Sequence, residues 1–293
     1  VNGNRAFIAN VHNHPSLWFI LSQFLRGVNI DTTPSALYNE FSVVLNITAG
    51  GICMKYVQIV FSPTGGTEKV AGAITRNWPT VEKIDLSVAT DDYSKYRLQA
   101  EDVALIAMPS FGGLAPQVAL DRLSQIAGNS ASCVLACVYG NRAYEDTLVQ
   151  MEDVAEKCGF HVIAAISAVA EHSIMHQYAT GRPNSVDCDQ LSDFAVKIEE
   201  KVKSGNFAKP VLPGNRPYKK AGGAGLVPKA TSACTECGLC EQQCPVHAID
   251  SKSPKTTDGK KCISCMRCVS NCPQHARKVS GLMVSIASLA IKK

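Results

Sequence analysis

Eight of the thirteen cysteines in this 293-residue chain fall between Cys234 and Cys272. They lie in two runs, CTECGLCEQQCPVHA at 234–248 and CISCMRCVSNCPQHA at 262–276, the second repeating the first 28 residues on. Each run spells C-x2-C-x2-C-x3-C-P without a gap. Thiolates are ligands for soft metals. Structural zinc sites generally draw four ligands from two CxxC pairs, whereas three thiolates at steps of three and a fourth before proline suit an iron–sulfur cubane held in a looping backbone. Gly238 eases that loop behind Cys237, and Pro245 and Pro273 redirect the chain after each fourth cysteine. Thiolates kept for iron must stay reduced, which sets the expectation of a cytoplasmic, low-oxygen setting.

Over roughly residues 227–280 the chain resembles bacterial two-[4Fe-4S] ferredoxins. The resemblance implies that Cys234, Cys237 and Cys240 take one cluster with Cys272, while Cys262, Cys265 and Cys268 take the other with Cys244. Such a swap ties the repeats into one small α+β domain that needs its metal to fold, having few large apolar residues of its own. His247 and His275 occupy equivalent places past the Cys-Pro pairs; partly exposed histidines at a helix start are the simpler reading than cluster tuning. Eight Lys/Arg against four Asp/Glu make this region basic, suited to offsetting cluster charge or meeting an acidic partner.

A second set of residues suits an anion. In SPTGGT (62–67), hydroxyls of Ser62, Thr64 and Thr67 and N–H groups of Gly65 and Gly66 can surround a terminal phosphate at the positive end of a helix. The loop is neither a Walker loop nor GxGxxG. It must follow a strand and open a helix, and the flanking pattern provides both. Apolar strand-like runs at 56–61, 81–87, 103–109, 132–139 and 161–169 alternate with helical patterns at 67–77, 116–127, 144–158 and 188–203. That alternation predicts an α/β domain over 54–204 with five parallel strands.

A phosphate loop after the first of five such strands resembles the flavodoxin family, which binds FMN at the switch point beside that strand. The resemblance implies that the loops after strands three and four flank the isoalloxazine. Here they contribute Pro109, Ser110, Phe111, Gly112 and Gly113, then Tyr139, Gly140, Asn141, Arg142 and Tyr144. Gly112, Gly113 and Gly140 would allow close backbone approach to a flat ring, and Phe111 and Tyr144 would offer aromatic faces or plain packing. With Pro109–Gly113, Tyr139–Arg142, Glu171–Ser173 and Gly181–Pro183 in this order, residues 54–280 are similar to the flavodoxin-plus-ferredoxin proteins of anaerobic bacteria, the EFR1-like family. In AEHSIMHQYATGRPNSVD (170–187), His172, His176 and Arg182 line a substrate or docking surface, or cap the sheet end. Cys133 and Cys137 are expected in the core, and Cys158 and Cys188 carry no motif.

Between the two domains, 205–230 is rich in proline and glycine and reads as a basic linker or extended wrap; 231–280 is the cluster domain and 281–293 a tail. With 46% hydrophobic and 18% charged residues the chain can bury a core, and a formal charge of +4 makes no case for nucleic acid. The longest apolar runs, 16–25 and 282–291, are too short for a membrane span. Residues 1–53 hold no lysine and no motif, and codons for Gly50 and Gly51 can spell GGAGG just upstream of Met54. The expectation is that 1–53 is upstream sequence read in frame; the alternative is a genuine extension, helical at 16–26.

The function expected is electron transfer between two [4Fe-4S] clusters and FMN, clusters moving single electrons and flavin one or two. Redox proteins or a small-molecule electron acceptor would be the partners. The alternative is a ferredoxin-type carrier or redox sensor whose flavodoxin-like domain docks without flavin.

Overall fold

The structure, a computed structural model, describes residues 54–220, 222 and 225–291. The expectations for the leading segment 1–53 lie outside the described residues. From Met54 on, β1 (Tyr56–Val60), α1 (Gly66–Ile74), β2 (Val81–Asp85), β3 (Val103–Pro109), α2 (Gln117–Leu123), β4 (Ser132–Tyr139), α3 (Thr147–Lys157), β5 (His161–Val169) and α4 (Ser185–Lys203) follow in turn. The five strands are all parallel, in the order β2-β1-β3-β4-β5. This is the flavodoxin-like order, with its switch point between β1 and β3.

Central strands covered on both faces read as continuous apolar runs, and β3 and β4 are buried along almost their whole length. Register aligns Ile84, Ile59, Ile106, Leu135 and Ala165 across one face. That face packs under α2 and α3, through Leu120, Leu123, Leu148 and Met151. The opposite face, with Val60, Leu105, Val134 and Ile166, meets Val70 and Ile74 of α1 and Leu191 and Ile198 of α4. Cys133 and Cys137 are fully buried in the first of these cores, where burial holds both thiols protonated.

Element ends differ from the sequence expectation for local reasons. Gly65, at φ 87° in the left-handed region, lets α1 begin at Gly66. Edge strand β2 stops at Asp85, whose carboxylate accepts the Ser87 N–H at 2.7 Å and turns the chain. After α2 the backbone leaves the helix so that Ala127 can bond Tyr96 and Leu98. A full capping box between Asn184 and Asp187 starts α4 earlier than expected, at Ser185.

The segment from 205 read as a linker or wrap is a strap laid along α3. Basic residues on the strap meet the acidic face of that helix: Lys209 pairs with Glu156, and Arg216 with Asp153 and Glu152. Leu212 packs against the core. Asp146 does not cap α3; its carboxylate instead accepts Asn215 N at 2.8 Å, Asn215 Nδ2 at 3.0 Å and Lys219 N at 2.7 Å. Those N–H groups hold the Asp146 carboxyl below its ordinary range, and the Arg216 guanidinium does the same for Asp153. A depressed folded pKa stabilises above the unfolded value of about 3.9 and is lost as pH falls through the folded one. Pepsin cleavage of the strap is therefore expected to rise as pH drops from about 4 toward 2. At neutral pH, Asp146→Ala should speed trypsin cleavage after Lys219 tenfold or more.

Beyond the strap, β6 (Lys229–Ala230) pairs antiparallel with β7 (Arg277–Lys278), enclosing α5 (Leu239–Gln242) and α6 (Arg267–Ser270). The repeat is exact in backbone conformation. Glu236 and Ser264, Gly238 and Met266, and His247 and His275 are pairs 28 residues apart, each at positive φ. The tail forms an apolar helix, α7 (Gly281–Ile291). Among the described residues no helix is long and apolar enough to cross a membrane.

Candidate redox centres

A cavity of about 740 Å³ opens at the C-terminal ends of β1, β3 and β4. Ser62, Thr64, Gly66 and Thr67 form one wall; Pro109, Ser110, Phe111, Gly112, Tyr139 and Gly140 form others. Ser62 Oγ accepts the Glu68 N–H at 2.9 Å, and Lys69 N–H starts the α1 ladder at Gly65 O, 3.0 Å. Helices leave their first N–H groups without intrahelical partners. Among the described residues those of Gly66 and Thr67 have none, and they sit at the cavity wall beside three hydroxyls.

Five expected residues stand apart. Gly65 lines a neighbouring cavity of about 270 Å³ that includes Lys83, Asp85 and Arg267. Gly113 packs onto Glu145, whose carboxylate leaves no room for a Cβ there. Asn141 and Arg142 are exposed, Arg142 pairing with Glu145 at 3.1 Å. Tyr144 packs on the core with its ring edge-on to Tyr139, centroids 5.3 Å apart. The close approach at Gly140 is to the protein's own His172: a Cβ would lie 2.6 Å from its ring.

His172 lines the cavity, its Nδ1 accepting the N–H groups of Ile174 and Met175, both at 3.2 Å. Those bonds put the ring proton on Nε2, and burial lowers the pKa, so the imidazole is neutral. His176 and Arg182 are spent on the loop itself, through Glu171 at 2.6 Å and through Asp187. The remaining wall escaped the sequence reading. It includes Leu226 of the strap, Ile263 and Ser264 of the second cysteine run, and Met283, Ile286 and Ala287 of α7.

The eight cysteines of the two runs separate into two sets around small cavities. Cys234, Cys237, Cys240 and Cys272 surround one, and Cys244, Cys262, Cys265 and Cys268 the other. Among the described residues no three or more His, Cys, Asp or Glu converge on a point as one metal ion requires; each set of four thiols encloses a space instead, as the separate corner irons of a cubane need. The left-handed turns at His247 and His275, both exposed and in turns rather than at a helix start, bring Ala248 N to Cys244 Sγ at 3.2 Å and Ala276 N to Cys272 Sγ at 3.3 Å. N–H···S bonds of this kind orient and tune cluster ligands. Burial pushes the thiol of Cys265 up to about 11 and that of Cys268 to about 12; iron must displace those protons on binding.

The second set adjoins the large cavity, for Cys262 and Cys265 line both. Ile263 between them packs against the sheet's core. Arg122 on α2 fixes the same junction: 9% exposed, it donates to Leu86 O at 2.6 Å and, 123 residues away, to Pro245 O beside Cys244. Arg122→Met leaves both carbonyls unpaired, at a cost of about 1–3 kcal/mol. In denaturant without oxygen, loss of cluster absorbance is expected at lower concentration in that variant.

Residues 233–277 match a family described as a 4Fe-4S dicluster domain. This part of the chain is an iron–sulfur electron-transfer domain. A flavodoxin of Streptococcus pneumoniae TIGR4 is 19% identical over 50% of this chain and 98% of its own, with a TM-score of 0.36. Flavodoxin 1 of Bacillus cereus is 16% identical over 50% and 97%, at 0.35. Rubredoxin oxygen:oxidoreductase of the anaerobe Desulfovibrio gigas is 15% identical over 56% and 40%, at 0.39. No curated protein matches the chain.

Proposed function

We propose that the protein is an iron–sulfur flavoprotein that carries electrons through two [4Fe-4S] clusters to FMN and on to an acceptor. The observation that carries this reading is the shared wall: Cys262 and Cys265 border both a four-thiol cage and the large cavity. A phosphate at that cavity would meet the free N–H groups of Gly66 and Thr67 at the positive end of α1, with Ser62, Thr64 and Thr67 beside it. Phe111 and Tyr139 supply aromatic walls for a ring. Bound there, FMN would supply the step between one-electron and two-electron chemistry.

The relay has an order. Cys237 of the first set is the exposed member, and the other seven are half-buried. With the cofactors bound, electrons from a partner would enter at that cage, cross to the second, and reach the flavin. A flavodoxin-like domain fused to a dicluster domain in this arrangement fits the EFR1-like proteins, and reduced thiolates fit a cytoplasmic, low-oxygen setting. The test is purification without oxygen with flavin, iron and sulfide measured on one sample. About one FMN and about eight irons per chain are expected; about eight irons with no flavin, even after FMN is added, overturn the flavoprotein reading.

A further inference from the structure

Arg277 is the largest fully buried side chain among the described residues, 2% exposed. Its guanidinium donates to Thr257 Oγ1 at 2.7 Å, to Pro228 O at 3.4 Å and to Pro254 O, while its Nε is buried with no partner. None of these partners is a carboxylate. A cation taken out of water without an anion is strongly disfavoured, and natural cores pair such charges. The anions the fold offers are the thiolates: Arg277 lines the first cage with Cys234, Cys237, Cys240 and Cys272, while its acceptors Pro228 and Thr257 line the second.

The repeat sharpens the point. Twenty-eight residues earlier stands Ile249, which lines the second cage at the equivalent place. The second cage also has a cation of its own, Arg267, whose side chain is partly exposed although its Nε is buried without a partner. Arg277 is therefore the dry charge, set between the two cages. Reduction adds an electron to a cluster whose thiolate shell is already negative, and a fixed buried cation favours the reduced form.

We propose that Arg277 is a built-in countercharge set between the two clusters, raising the reduction potential of at least one of them and making cluster charge the ion partner that the guanidinium lacks in protein. The inference rests on the cluster reading of 233–277, and iron content of the unaltered chain tests that reading separately. The experiment is a redox titration of the oxygen-free full-length protein, followed by electron paramagnetic resonance, on Arg277→Met and Arg277→Lys with iron measured on each.

Arg277→Met is expected to lower the reduced fraction of one cluster at least tenfold at the ambient potential that half-reduces it in the wild type, about 59 mV for one electron. Arg277→Lys, which keeps the charge, should keep most of the potential. Full iron loading in Arg277→Met with both potentials unchanged overturns the proposal, as does an Arg277→Lys variant that shifts as far as the Met variant. If the Met variant loses its iron, a loaded Lys variant of near wild-type potential supports the proposal. Loss of iron in both overturns it, because charge is then not what the position requires.

Discussion

Cys265→Ala is expected to stop electrons from reaching the flavin while leaving the flavin bound. Cys265 lines both the second cage and the large cavity, so the variant would remove the cluster proposed to border the flavin site. Iron should fall from about eight to about four per chain, because the first cage draws its four thiols from other positions. Flavin content should stay near wild type, since the loop 62–67 is held between β1 and α1, whose apolar residues belong to the sheet's own core. Reduction of the flavin by a one-electron protein donor should slow at least a hundredfold. Flavin reduction at the wild-type rate in a chain shown to lack the second cluster would sink the relay order.

Gly65→Val is expected to weaken flavin binding about five- to thirtyfold with both clusters intact. Gly65 sits at φ 87°, where a β-branched residue is strained by roughly 1–2 kcal/mol. Relief of that strain rotates the turn whose next two N–H groups, those of Gly66 and Thr67, face the cavity. Space is not the obstacle, since a Cβ at Gly65 meets nothing within 4 Å; backbone direction is. Gly72, exposed inside α1 at negative φ with equally open surroundings, is the control. Gly72→Ala should stabilise the helix by about 0.5–1 kcal/mol and leave flavin affinity unchanged. Titration of the apoprotein with FMN by fluorescence reads both; wild-type affinity in Gly65→Val would remove the phosphate loop from the site.

The parts of this molecule that repeat or alternate were legible in the sequence. Five strands followed from apolar runs such as VALIAMP and SCVLACVY, because a strand buried on both faces has no polar positions to blur it. The cysteine spacing carried the two cages, and the repeat in φ at Gly238 and Met266 shows that spacing dictates backbone even where glycine is not retained. What stayed hidden depends on contacts between distant residues. Arg122 reads as an ordinary helix-surface cation until Pro245 arrives beside it. The strap has no period, and its only signal was a basic composition facing the acids of α3. Gly113, Asn141 and Arg142 looked like ring contacts because of loop position, yet Glu145 draws Gly113 and Arg142 into a local cluster outside the cavity. The run at 282–291 read as a tail, whereas its apolar residues Met283, Ile286 and Ala287 close one side of the cavity.

The proposed relay from cages to flavin is tested most directly by rapid mixing of the oxygen-free, fully loaded chain with a reduced one-electron protein donor, following cluster and flavin absorbance together. Cluster reduction should come first and scale with donor concentration; flavin reduction should follow at a rate that levels off, as an internal transfer must. Flavin reduction that precedes the clusters, or that keeps rising in proportion to donor, would contradict passage through the second cage.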